Sequence, residues 1–123
     1  MVMTSSRLLI NDYAGVTVVT FTDSSILEAG AIDSIAKDLY HLVDAQAKLK
    51  VILDFSKVKT MSSQGLGMLI NLNKKLAAIK GSLAMCGVRP EIRKLFTLTG
   101  LEKEFKFYAD DKAALGAWKV NVS

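Results

Sequence analysis

The residues best able to do chemistry lie close together, around one connection. The stretch Ser56-Lys57-Val58-Lys59-Thr60-Met61-Ser62-Ser63-Gln64-Gly65 follows the apolar run Val51-Ile52-Leu53, which ends in Asp54. Two adjacent hydroxyls at the start of a helix, Ser62 and Ser63, can accept a backbone N–H as an N-cap. They can also carry a phosphate, an anion that the helix dipole and free N–H groups favour at that end. Asp54, at the end of a strand, can accept N–H bonds from the loop backbone, or it can act as an acyl-phosphate acceptor beside magnesium. The second role needs further ligands for the magnesium, which are not recognisable here, so Asp54 reads as a loop-organising residue. The one cysteine, Cys86, sits in the apolar run Leu83-Ala84-Met85-Cys86 and reads as a buried, inert thiol. The one histidine, His41, has no sequence-local partner for metal binding or general-base work. With no Gly-x-Ser-x-Gly elbow, no phosphate-binding loop and no metal-ligand cluster, we expect no catalytic residue, no metal, no cofactor and no enzymatic activity.

These residues need elements to position them. The β-branched run Val51-Ile52-Leu53 suits a strand covered on both faces, and a site at its carboxyl end is the usual arrangement in open α/β sheets. From Leu66 the period changes. Leu66, Leu69, Leu72, Leu76 and Ile79 mark one face of a helix expected to close at Gly81. Upstream, residues 7–13 and 16–21 form two strands joined by Ala14-Gly15, an antiparallel hairpin. Ile32, Ile35, Ala36, Leu39, Leu42 and Val43 mark an amphipathic helix with His41 on its solvent side. Downstream come a strand at 82–88 and a helix opened by Pro90 and stopped by Gly100. An edge-like strand at 105–108 follows, then a last helix capped by Asp110 or Asp111 that buries Ala114, Leu115 and Trp118. The order is ββαβαβαβα: an α/β fold with a mixed sheet, and residues 1–123 read as a single domain.

Composition agrees with this. The chain has 123 residues, half of them apolar, and a single proline, which suits one self-sufficient core without a disordered linker. No signal peptide or membrane span is recognisable, so a cytoplasmic protein without membrane insertion is expected. The net charge of +4 comes without base-stacking aromatics among the basic residues, so direct nucleic-acid binding is not expected.

The run from Leu53 to Ile70, LDFSKVKTMSSQGLGMLI, resembles the central signature of the STAS domain, the module of bacterial anti-sigma factor antagonists and of the cytoplasmic part of sulfate transporters. In that family a strand ends in Leu-Asp-hydrophobic-Ser, and Asp-Ser-Ser-Gly-Leu-Gly opens the next helix. Aligning Gly65-Leu66-Gly67 with the family glycines makes Ser63 the phosphoacceptor, with Ser62 the second choice. Ser62 then stands where the family has aspartate, and Gln64 where it has a second hydroxyl residue. The resemblance implies a protein-binding regulator whose partner is an anti-sigma factor that is itself a serine kinase. Phosphorylation would release that partner. The expected contact set is Met61, Ser62, Ser63, Gln64, Gly65, Gly67 and Met68, the glycines for close backbone approach and the methionines for their adaptable side chains. Met68, off the leucine stripe, is expected to be exposed beside Ser63, unless both methionines fill gaps beneath the loop. The competing reading is a STAS scaffold subunit of a stressosome-like or lipid-transport complex in which Ser63 is only a cap, and the minor one a receiver-like domain with Asp54 as acceptor. The oligomeric state is left open.

Overall fold

The computed structural model describes residues 2–4 and 8–118. In chain order the elements are β1 (Val2–Thr4), β2 (Leu8–Tyr13), β3 (Val16–Phe21), β4 (Ser25–Ile26), α1 (Ala29–Asp44), β5 (Lys50–Asp54), β6 (Thr60–Met61), α2 (Ser63–Ala78), β7 (Ser82–Cys86), α3 (Pro90–Leu98), a short 3-10 turn (Glu102–Glu104), β8 (Lys106–Tyr108) and α4 (Asp111–Ala117). Six strands form one sheet in the order β1-β2-β3-β5-β7-β8, antiparallel across the first three and parallel from β3 onward. This is the mixed α/β architecture expected from the sequence.

The hairpin turns at Ala14-Gly15, both with positive φ (50° and 87°), the backbone of a two-residue turn whose twist matches the strands it joins. Alternation then sorts the strand side chains between two cores. Val19, Leu53 and Met85 share a register and face the larger core with α1, α2 and α3, whereas Val18, Ile52 and Ala84 face α4 through Ala114 and Leu115. Val51, Ile52 and Leu53 are therefore buried on both faces, as their unbroken apolar run requires. Trp118, expected to be buried by the last helix, lies just beyond the end of α4 and is half-buried at the margin of the smaller core with Tyr13 and Tyr108.

The structure corrects several expectations. A strand, β1, precedes the expected hairpin, the 3-10 turn precedes β8, and the short strands β4 and β6 form a separate parallel pair. Arg7, placed in the first expected strand, lies outside the described residues. Gly81 does not supply the left-handed residue after α2: Lys80 does, at φ 61°. Gly81 is there for space. A Cβ on it would lie 2.6 Å from the Leu49 carbonyl oxygen, and its N–H closes the helix end on the Leu76 carbonyl at 2.7 Å. Because α2 stops at Ala78, Ile79 falls beyond the buried stripe and is exposed. Gly100, by contrast, terminates α3 with φ 74°, and Asp110 rather than Asp111 caps α4, accepting from the Ala113 N–H at 2.8 Å.

Candidate functional site

The site is assembled by the connection from β5 to α2. Asp54 Oδ1 accepts the Ser56 N–H at 2.9 Å, so the carboxylate organises the turn that leaves the strand. Phe55 is drawn inward against Phe21, ring centroids 4.8 Å apart, while its N–H donates to the Cys86 carbonyl at 2.9 Å. Val58 is buried beneath the loop and Lys57 and Lys59 remain exposed. The chain then pairs with β4: Lys59 and Thr60 N–H groups donate to the Ser24 carbonyl, and the Ser62 N–H donates to the Ile26 carbonyl at 3.0 Å. This ladder aligns Ile26 with Met61. Both α1 and α2 start from it, so it fixes where α2 begins. Sequence reasoning passed over it, because two-residue strands carry no periodicity to detect.

At the start of α2 the two serines separate in role. Ser62 is the N-cap, extended at φ −86° and ψ 167°, and its Oγ accepts the Gly65 N–H at 3.3 Å. Ser63 is the first helical residue and is exposed. Gln64 is exposed beside it and Gly67 is partly exposed one turn on. No acidic residue lies in the first turn, so the positive end of the helix dipole is not offset from within the helix.

The remaining members of the expected contact set turn inward. Met61 is 7% and Met68 4% exposed, which overturns the expectation that Met68 lies on the surface. The apolar face of α2 is wider than the leucine stripe because the helix packs on α1 as well as on the sheet, and Met68 faces α1. There the Tyr40 hydroxyl donates to the Met68 carbonyl at 3.2 Å, and Lys75 bonds Asp44 at 2.9 Å while sitting 5.1 Å from the centre of the Tyr40 ring. Gly65 is also internal, since a Cβ on it would lie 2.7 Å from Met61 Cγ and 3.6 Å from Ile26 Cγ2. A Cβ on Gly67 would meet nothing within 4 Å. Of the seven residues named from the sequence, Ser63, Gln64 and Gly67 face outward, with Ser62 half-covered by its capping role.

The other candidates are placed apart from this surface chemistry. Cys86 is buried at the end of β7, and burial first, then the carboxylates of Asp54, Asp111 and Asp110, push its thiol up to about 12. The thiolate is suppressed rather than activated. His41 is exposed on α1. Among the described residues no group of three or more His, Cys, Asp or Glu is placed to hold a metal ion, and no helix is long and apolar enough to cross a membrane.

The STAS domain family model matches residues 9–114. Among curated proteins, BtrV of Bordetella bronchiseptica, provisionally named an anti-sigma factor antagonist, is 26% identical over 95 residues, covering 77% of this chain and 81% of its own. Among solved structures, an anti-sigma factor antagonist from Mycobacterium paratuberculosis superposes with a TM-score of 0.79 at 26% identity, covering 94% of this chain and 97% of the other. The Bacillus cell fate determinant SpoIIAA in its phosphorylated form shares the fold, with a TM-score of 0.69 at 18% identity and coverage of 97% and 98%.

Proposed function

We propose that this chain, which belongs to the STAS domain family, is an anti-sigma factor antagonist that binds an anti-sigma factor through the exposed start of α2 and is released when Ser63 is phosphorylated. The observation that carries the reading is the division of labour between the two serines. Ser62 makes the capping hydrogen bond, which leaves the exposed Ser63 hydroxyl available for modification without opening the helix.

The chemistry follows from that placement. A serine kinase transfers the γ-phosphoryl group of ATP to Ser63 Oγ: the Oγ–P bond forms, the bond to ADP breaks, and the hydroxyl proton passes to the kinase's base. The product adds nearly two negative charges where the helix dipole favours them, so the fold tolerates it. A closely packed partner does not, because the new charge must be desolvated there without a designed counter-charge. Gly67 supports the same reading. Nothing inside the fold requires a glycine at that position, and the bare backbone it leaves lets another chain come close to the first turns of α2.

One observation favours the scaffold reading instead: Ser62 stands where the family signature has an acid, and no acidic residue in the first turn of α2 replaces it. The two readings part on one experiment. Binding of the purified chain to the serine-kinase anti-sigma factor of its own organism is measured by calorimetric titration for the parent, Ser63→Ala and Ser63→Asp. Phosphate incorporation is followed by intact mass. The antagonist reading expects parent and Ala to bind alike, Asp to bind more than about a hundredfold more weakly, and one phosphate to be added to the parent but not to Ser63→Ala. Equal binding of parent and Ser63→Asp refutes the switch. A hydroxylamine-labile phosphate would point to Asp54.

A further inference from the structure

The sequence of α2 holds its own beginning loosely. Gly65 and Gly67 each weaken a helix relative to alanine, no acidic residue in the first turn offsets the dipole, and the Ser62 cap accepts the Gly65 N–H at 3.3 Å, a long bond. The stretch that carries Ser63, Gln64 and Gly67 therefore depends on its neighbours for a fixed arrangement. At its beginning the neighbour is β4, whose Ile26 carbonyl accepts the Ser62 N–H at 3.0 Å. At its end the neighbour is α1. The Tyr40 hydroxyl donates to the carbonyl of Met68, the residue directly after Gly67, at 3.2 Å. Among the described residues, the Ser62 cap and this bond are the side-chain hydrogen bonds that reach the α2 backbone from outside the helix.

The Tyr40 ring is itself fixed. It packs partly buried against the larger core, and the Lys75 ammonium lies 5.1 Å from its centre while bonding Asp44 at 2.9 Å, so the hydroxyl reaches Met68 from a ring with little freedom. The Met68 carbonyl also takes the Leu72 N–H in the regular ladder of the helix, so helix closure does not need the tyrosine. What the bond adds is a fixed position of the early turns relative to α1. We infer that Tyr40 is a positioning residue for the partner surface, its hydroxyl holding the start of α2 so that Ser63, Gln64 and Gly67 stand in the binding arrangement before the partner arrives. The inference rests on the antagonist reading. Without the bond the start of α2 spends time in other arrangements, and affinity falls in proportion to the fraction that remains competent. The rest of the helix keeps its place, because Leu69, Leu72 and Leu76 stay buried in the larger core.

The test uses the full chain and the purified serine-kinase anti-sigma factor of its own organism. For the parent, Tyr40→Phe and Asp44→Asn, it combines calorimetric titration, steady-state phosphorylation of Ser63, amide hydrogen exchange of the free chain and melting temperature. Tyr40→Phe keeps the ring and removes the hydroxyl. It is expected to weaken binding roughly threefold to tenfold and to raise KM by the same factor with kcat unchanged. Amides of residues 63–68 should exchange faster, those of β5 at the parent's rate, and the melting temperature should stay near the parent's. Asp44→Asn, which loosens the seam between α1 and α2 away from the helix start, is expected to behave as the parent does. If the parent binds and is phosphorylated but Tyr40→Phe matches it in affinity and KM, the inference is overturned and the antagonist reading stands. A loss that comes with faster exchange in β5 as well, or one that Asp44→Asn shares, also overturns it, since either marks a general loosening of the domain. A parent that does not bind overturns both.

Discussion

Gly65 and Gly67 are two residues apart on the same helix, yet alanine should act on them in opposite directions. Replacing glycine by alanine within a helix is worth about 0.5–1 kcal/mol, because the unfolded chain loses freedom and the helix gains a good former. At Gly67 nothing lies within 4 Å of the added methyl group, so Gly67→Ala should keep the whole of that gain. At Gly65 the methyl would sit 2.7 Å from Met61 Cγ and 3.2 Å from its Sδ, and Met61 is itself buried against Ile26. Overpacking of this kind costs roughly 1–3 kcal/mol, and a flexible methionine keeps it near the lower end. Net, Gly65→Ala should be neutral to about 2 kcal/mol destabilised, and the two variants should differ by about 1–3 kcal/mol. For a domain of this size that is a gap of roughly 4–12 °C in melting temperature. Urea unfolding with a shared m-value, alongside thermal melts, measures both. The packing argument fails if Gly65→Ala is as stable as Gly67→Ala, or if Gly67→Ala is no more stable than the parent.

Three further outcomes are expected. Ser62→Ala should lose roughly 0.5–1 kcal/mol of unfolding free energy in urea, the low end for an N-cap given the 3.3 Å bond, while Ser63→Ala stays within about 0.5 kcal/mol of the parent; the reverse order would put the cap at the wrong serine. The Cys86 thiol is pushed up to about 12 from its ordinary 9.0, so its contribution to stability is complete below about pH 9 and is lost as pH rises toward 12; stability that climbs over that window in the parent relative to Cys86→Ala would contradict the sign. Gly81→Ala should cost more than about 2 kcal/mol in chemical unfolding, because the Leu49 carbonyl at 2.6 Å belongs to the backbone and cannot swing away, whereas Lys80→Gly should stabilise by relieving a left-handed residue.

Much of this was legible because the relevant signals are periodic. Ile32, Ile35, Leu39 and Leu42 on α1, and Leu66, Leu69, Leu72 and Leu76 on α2, repeat often enough that burial follows from spacing alone. Asp54 was legible as a loop-organising residue for a local reason: an aspartate closing a strand has a backbone N–H two residues on within reach. The misses occur where one residue decides the outcome. Ser62 and Ser63 are both good caps, and only the position at which the β4–β6 ladder releases the chain settles which one takes the role. Met68 was misplaced because α2 has two neighbours, and a stripe read against the sheet alone is too narrow. The role of Gly81 was misread because a helix end can need left-handed backbone at one residue, here Lys80, and an absent side chain at the next, and glycine looks the same in both cases.

The sheet order β1-β2-β3-β5-β7-β8 has a consequence for how the chain is made. Each strand adds to the edge left by the one before it, so a ribosome can lay the sheet down in the order of synthesis, with no strand waiting to be inserted between two already paired. The two faces are not finished together. The face under α1, α2 and α3 is covered as synthesis proceeds, but α4, which packs over Ile52, Ala84 and Cys86, emerges after the other described helices. A nascent chain stalled before Asp110, or a product truncated there, carries a nearly complete sheet with its second face bare. In that state the cysteine that the finished domain keeps sealed and protonated is open to solvent and to oxidants.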